Sequence, residues 1–199
     1  MQRIAIVGTT GSGKTTLARR VAELLDLVHV ELDGLQWEPD WTPAEDGIFR
    51  DRITQALRGD DLRPTGGHRW VVDGNYSRVR DLIWQQADTI VFLDYSFWVV
   101  FGRLLGRTWR RSFYREELWN GNRENFRLSF FSADSVLWWM VKTYRKRRRE
   151  YPLLFQRSEY AHLAVVHLTS PEQTEQWCAQ LAQGPIANQE RSTSPKTTN

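Results

Sequence analysis

Two residues near the start of the chain, Lys14 and Thr15, have the types and spacing to hold a nucleotide triphosphate. They close the run from Gly8 to Thr15, "GTTGSGKT", which matches G-x-x-x-x-G-K-[ST] throughout. Glycines at 8, 11 and 13 let the backbone curl so that successive N–H groups point at phosphate oxygens. The positive end of a following helix adds to the attraction. In that geometry Lys14 reaches the β- and γ-phosphates and the Thr15 hydroxyl coordinates Mg²⁺, while the backbone of Thr9, Thr10, Ser12 and Thr16 completes the cradle. The plain alternative, a glycine turn with a chance Lys-Thr, conflicts with the strand before it and the helix after it.

Carboxylates follow at three later apolar runs: Asp33 after "VHVEL", Asp73 after "RWVV" and Asp94 after "IVFL". Asp73 is the expected second anchor for Mg²⁺, acting through water. Its competing reading is an Asp-Gly turn, but a parallel strand predicts no hairpin there. Asp94 has an equally good shape for the metal role and an equally good structural reading. Asp33 can orient an acceptor hydroxyl or take its proton; it can also cap a helical turn. Trp37 and Trp41 offer flat faces to a base or sugar, against the ordinary role of indoles in packing. Arg78 can clamp an acceptor phosphate.

Arg103 and Arg107 lie four apart and therefore on one helix face. Both are expected to reach the phosphates, since positioned positive charge stabilises a phosphoryl group in transfer. Arg110, Arg111, Arg123 and Arg127 follow in lid order; for about half of all these arginines a solvated surface position suffices. In "YRKRRRE", Tyr144 to Glu150, five consecutive cations wrap more than one helical turn and cannot all aim at one nucleotide. Arg145 and Arg149 are the expected lid residues. The others face solvent or a polyanion, either nucleic acid or an acidic membrane surface.

The elements that must position these residues alternate. The strands "RIAIV", "VHVEL", "RWVVD", "DTIVFLD" and "LAVVHL" are separated by segments of helical period. Expected helices include "PAEDGIFRDRITQALRG", "RVRDLIWQQA", "SFWVVFGRLLGRTWRR" with Ser96 as cap, a basic helix ending before Pro152, and "SPEQTEQWCAQLA" with Ser170 as cap and Pro171 at its first position. The prediction is an α/β fold in three layers, a five-stranded parallel sheet with helices on both faces. Right-handed crossovers then bring the glycine loop and the strand-end acids to one sheet edge, where ligands bind. A single domain is expected over 1–183 with an arginine-rich lid over about 103–150. The polar stretch 184–199 is expected to be disordered.

Composition sets the remaining bounds. The chain has 199 residues and one cysteine, Cys178, expected to be buried on an amphipathic helix. A disulfide framework or cysteine-rich zinc site is therefore excluded. The opening "MQRIAIVG" is no signal peptide. The longest apolar runs, "FWVVF" and "VLWWMV", fall short of the roughly 20 residues that span a bilayer, so a cytoplasmic protein is expected. Between Arg103 and Arg149 thirteen basic residues face four acidic ones, a net of +9 that leaves −6 for the rest of a chain whose total is +3. The four histidines, His29, His68, His162 and His167, show no metal spacing, and packing or surface roles suffice for them.

The absence of an "NKxD" segment argues against a GTPase, and the length against a ring-forming ATPase module. A small P-loop kinase remains. "WVVDGNYSR" resembles the strand-end "DGFPR" segment of adenylate kinases, with Arg78 one residue later than in that pattern. "ADTIVFLDYS" is similar to their next strand and "FGRLLGRTWR" to the helix leading into their lid. Together with "LDGLQWEPDW" and "ELWNGNRE", these segments resemble adenylate-kinase-related proteins labelled DNA topology modulation proteins, over roughly residues 1 to 180. The resemblance implies an ATP- and Mg²⁺-dependent phosphotransferase with a nucleotide or small-molecule acceptor. Two other readings stay open: a small-metabolite hydroxyl kinase like shikimate or gluconate kinases, relying on Asp33, and a nucleic-acid-binding regulatory ATPase relying on residues 145–149.

Overall fold

A computed structural model describes residues 1–58, 68–114, 117–122 and 135–183. Arg115, Arg123, Arg127 and the tail from Gly184 lie outside these residues. The strands are β1 (Arg3–Gly8), β2 (Val28–Glu31), β3 (Trp70–Asp73), β4 (Thr89–Leu93) and β5 (Ala164–Leu168). They form one parallel sheet in the order β2-β3-β1-β4-β5. The helices are α1 (Lys14–Leu25), α2 (Leu32–Gln36), α3 (Asp46–Arg58), α4 (Arg80–Trp84), α5 (Phe97–Tyr114), α6 (Val136–Phe155) and α7 (Pro171–Ala182). This is the α/β P-loop fold, with helices flanking both sheet faces.

The side chains of β1 alternate between the two faces. Ala5 and Val7 join a core with Val72, Phe49 of α3 and Trp84 of α4. Ile4 and Ile6 join another with Leu17 and Val21 of α1, Leu104 of α5 and Cys178 of α7. Strands buried on both sides read as continuous apolar runs, which is why the five segments are visible in the sequence. Two glycines are required by close approaches. A Cβ on Gly8 (φ +154°) would stand 2.6 Å from the Leu93 carbonyl oxygen, and one on Gly74 (φ +144°) 2.8 Å from the Leu32 Cβ. The first lets the loop leave β1 against β4; the second lets the end of β3 meet the start of α2.

Several boundaries differ from expectation. Asp33 lies in the first turn of α2, two residues beyond the strand end. The helix expected over "RVRDLIWQQA" is a 3-10 turn, Ser77–Val79, followed by the short α4. The cap at Ser170 holds: its Oγ accepts from the Gln173 N–H at 3.3 Å, with Pro171 at the first position of α7.

The largest correction concerns α6, which does not stop before Pro152 but continues through it to Phe155. Packing overrides the missing N–H. Met140 and Tyr144, in the first half of α6, belong to one core, whereas Tyr151 and Leu154, in the second half, belong to the other. The helix therefore crosses from one sheet face to the other, and the burial of Tyr151 and Leu154 holds the last turn in register.

Because proline costs a helix interior about 3 kcal/mol, partly offset by a stiffer unfolded chain, Pro152→Ala should stabilise the fold by about 2 kcal/mol. The expected reading is a higher urea midpoint at unchanged m-value; a lowered midpoint would mean that Pro152 is an adapted kink.

Candidate active site

The carboxyl edge of the sheet gathers the ends of β1, β2 and β3. Ile6 and Glu31 are both in register with Asp73, so the loop after Gly8, the start of α2 and Asp73 converge. Gly11 and Gly13 take positive φ, at +88° and +93°. Ser12 N–H donates to the Thr9 carbonyl at 3.0 Å, and Lys14 Nζ donates to the same oxygen at 3.3 Å. Asn75 ties the loop to the sheet: its Oδ1 accepts from the Gly8 N–H at 3.2 Å and its Nδ2 donates to the Gly8 carbonyl. Tyr151, arriving on α6, donates its hydroxyl to Asn75 Oδ1 at 3.0 Å.

Asp73 is buried, with its two oxygens engaged separately. Thr15 Oγ1 donates to Oδ2 at 2.6 Å, and His29 Nε2 lies 2.7 Å from Oδ1, where a carboxylate can only accept. The pairing of Thr15 with Asp73 joins two hard oxygen donors beside the phosphate loop. Among the described residues no group of three or more His, Cys, Asp or Glu can hold a metal. Asp94 is engaged elsewhere: Arg148 Nε lies 2.6 Å from its Oδ1, and His167 Nε2 lies 3.1 Å from its Oδ2.

Cations crowd Lys14. Burial, with Arg147 close by, lowers its ammonium from 10.5 to about 8; Asp33 and Asp73 pull upward and Arg107 adds to the lowering. Burial likewise lowers the Arg147 guanidinium, against the opposing pull of Tyr151, Glu150, Asp33 and Tyr76. Its NH1 is buried without a hydrogen-bond partner. Arg147 occupies the middle of α6, where the helix crosses the sheet edge. It is the member of the basic run that reaches the site, in place of the expected Arg145 and Arg149, which are exposed. The reason is helical phase: Arg147 shares a face with Tyr151, four residues on, and Tyr151 is fixed by the core.

Of the other expected residues, Arg107 lies within electrostatic reach of Lys14. Arg103 donates to the Ser12 carbonyl of the phosphate loop at 3.3 Å and lies over the Tyr95 ring. Asp33 Oδ1 accepts from the Tyr76 hydroxyl at 2.5 Å; burial and the Asp33 charge push that phenol well above its ordinary range, and Trp37 also hydrogen-bonds to it. Arg78 is bound among Gln36, Asp46 and the Ala44 carbonyl, over the Phe49 ring. Trp37 packs edge-on against Trp41, and Trp41 against Trp119. Beside these rings Asn122 accepts from the Trp41 N–H at 2.8 Å and donates to the Glu38 carbonyl at 2.8 Å. The segment after α5 is thereby fastened to the loop after α2.

A family model for the AAA domain (AAA_18) matches residues 4–125, more than half of the chain. The chain belongs to this AAA domain family. The match places the AAA domain over β1 to β4 and the P-loop, which implies nucleotide binding. No curated protein matches the chain. Among solved structures, the shikimate kinase from Acinetobacter baumannii in complex with shikimate is 19% identical with a TM-score of 0.50, covering 92% of each chain. The shikimate kinase from Bacteroides thetaiotaomicron is 15% identical with a TM-score of 0.50, over 92% of this chain and 97% of that one. A gluconokinase from Sinorhizobium meliloti 1021 is 19% identical with a TM-score of 0.47, over 92% and 94%. At these identities the likeness is one of fold.

His29, Asn75, Tyr76, Arg147 and Tyr151 are the site residues that sequence reasoning missed. Asn75 and Tyr76 stand inside the quoted "DGNYSR" segment, and His29 alternates with Val28 and Val30 on β2, two strand signals that carry no role by themselves.

His29→Ala frees one oxygen of Asp73, and loss of such a second-layer partner typically weakens a metal about 10- to 100-fold. Calorimetry should therefore show weaker ATP binding with Mg²⁺ and unchanged binding in EDTA; an equal loss in both would place His29 outside metal support. A triphosphate favours charged Lys14, so ATP affinity should hold below pH 8 and fall about tenfold per pH unit above it. A flat profile to pH 9.5 would separate Lys14 from the phosphates.

Proposed function

We propose that this chain is an ATP- and Mg²⁺-dependent phosphotransferase that moves the γ-phosphoryl group to a hydroxyl of a small acceptor. The observation that carries the reading is the cluster of three cations, Lys14, Arg107 and Arg147, around one point of the sheet edge, facing Asp33 on α2. Such a cluster is electrostatically unfavourable alone and is relieved by phosphates.

In this reading the loop from Gly8 to Thr16 holds the phosphates, and Thr15 with Asp73 holds Mg²⁺, which neutralises charge on the phosphate oxygens when bound. Asp33 faces the acceptor. The acceptor hydroxyl oxygen forms the new bond to the γ-phosphorus, the bond from that phosphorus to the β–γ bridging oxygen breaks, and the hydroxyl proton passes to Asp33. Lys14, Arg107 and Arg147 stabilise the transferring group, and ADP leaves. Tyr76, donating to one Asp33 oxygen, orients the carboxylate and leaves the other for the acceptor.

A hydroxyl acceptor is favoured over a nucleoside monophosphate by the engagement of Arg78. The residue needed to clamp an acceptor phosphate is held by Asp46 and Gln36. The resemblance of "VVDGNY" and "FGRLLGRTWR" to adenylate kinases agrees with the fold and with ATP as donor. Shikimate kinases sharing the fold make hydroxylated acids the first compounds to try. The AAA domain family name concerns nucleotide binding and names no reaction.

The experiment is an acceptor screen by ADP formation, with shikimate, gluconate and other hydroxyl metabolites set against nucleoside monophosphates. A hydroxyl compound should stimulate turnover, and Asp33→Asn should lower that stimulated rate at least about 100-fold while ATP binding is kept. Stimulation by a nucleoside monophosphate instead would restore the nucleotide-kinase alternative.

A further inference from the structure

The helix α5 is built inside out. Its inward side carries Val100 and Leu104 into the core but also directs Arg103 to the Ser12 carbonyl, buries Thr108, and brings Arg107 to Lys14. Its outward side carries Trp98, Gly102, Leu105 and Phe113, which fall on one face of a helix. No charged residue interrupts that stripe. Trp98 is 76% exposed and Phe113 69% exposed. Gly102 has open space where a Cβ would stand, so the stripe is smooth between its rings.

The neighbouring helix repeats the pattern with different chemistry. On α6 the outward stripe is Trp138, Lys142, Arg145 and Arg149, at spacings of four, three and four, all exposed. The two helices pack side by side: Phe97 meets Tyr144 edge-on at 5.4 Å between centroids, and Val100, Leu104, Met140 and Tyr144 share one core cluster. Both stripes point away from that shared core. Across the two helices the only acid is Glu150, paired with Lys146 at 3.6 Å. A water-facing surface is thus aromatic along one helix and cationic along the next.

We propose that this surface docks on an anionic lipid bilayer, with α5 lying in the plane of the interface. Charge complementarity selects this occupant. Lys142, Arg145 and Arg149 match a negative headgroup layer and can extend their charges past the rings, while the indoles and Phe113 seat at the headgroup boundary. A second copy fits poorly, because a two-fold contact would set the cationic stripe of one copy near that of the other. Nucleic acid would use the charges and leave the uncharged α5 stripe in water. Among the described residues no helix is long and apolar enough to cross a membrane, so the association is peripheral. It is independent of the proposed phosphoryl transfer, since none of these side chains belongs to that site.

The test is cosedimentation of the full chain with vesicles of phosphatidylcholine alone or mixed with phosphatidylglycerol, with tryptophan emission read in parallel. Binding and a blue shift are expected on the anionic vesicles and not on the zwitterionic ones. Lys142→Gln with Arg145→Gln should weaken partitioning about 25-fold, at the usual contribution of each basic residue near such a surface. Trp98→Ser with Phe113→Ser should abolish it, and both pairs should bind Mg²⁺-ATP as the wild type does, which separates this outcome from failure to fold or failure of the kinase reading. The proposal is overturned by any of four results. These are no binding to either vesicle, equal binding to both, and binding that the face variants leave intact. The fourth is duplex DNA binding or concentration-dependent dimerisation in place of vesicle binding.

Discussion

The site depends on positive charge collected faster than negative charge can balance it. Lys14 is partly buried with two guanidiniums near it, and its lowered proton affinity measures that crowding. Two carboxylates, Asp33 and Asp73, offset part of it, but Thr15 and His29 already take up both oxygens of Asp73. A polyphosphate is the natural complement: it brings several negative oxygens to the point where hydration has been removed and interactions between charges are strongest. The cluster also opposes its own assembly, so the rest of the fold must hold it in place.

Three sets of contacts supply that hold. Asn75 binds both backbone groups of Gly8, so the phosphate loop cannot drift from β3. Tyr151 binds Asn75 and is itself packed in the core, so the turn of α6 that carries Arg147 is registered on the same loop. Farther along α6, Arg148 pairs with Asp94, whose second partner is His167 on β5. Asp94 is thus a fastening for the helix. Neighbouring arginines on one helix divide the work: Arg148 fixes the element and Arg147 presents the charge.

Much of this was legible in the sequence, for identifiable reasons. The phosphate loop is local, made by contiguous residues whose chemistry does not depend on distant packing, and the five buried strands announce themselves as apolar runs. The place of Asp73 at the sheet edge was legible because it closes an apolar run that reads as a parallel strand. Arg147 was not. Which of five adjacent cations points inward is set by the phase of α6, and Tyr151 and Leu154 fix that phase from the far face of the sheet. Reading Pro152 as a stop removed those two anchors from view. The partners of Arg78 were hidden for a related reason: Asp46 and Gln36 come to it from separate elements. His29 had no spacing signal because its partner is 44 positions away and only strand pairing brings them together.

The segment after α5 adds a last constraint. Residues 118–122 fold into a turn whose Asn122 binds the backbone of the 37–41 loop, while Trp119 packs on Trp41. Gly34 lies beneath it, where a Cβ would stand 3.0 Å from Trp119 Cδ1 and crowd the ring. Arg111 lies over that same indole. The helix that brings Arg107 to Lys14 is therefore anchored at its far end to the loop that follows Asp33, so the Arg107 guanidinium and the Asp33 carboxylate are set by one connection. An arrangement of this kind ties the closeness of the reacting groups to neutral contacts, hydrogen bonds and ring packing, which do not weaken when the charges around Lys14 are unbalanced. It lets the site keep its geometry while it waits for phosphate, the condition under which preorganised charge is most effective.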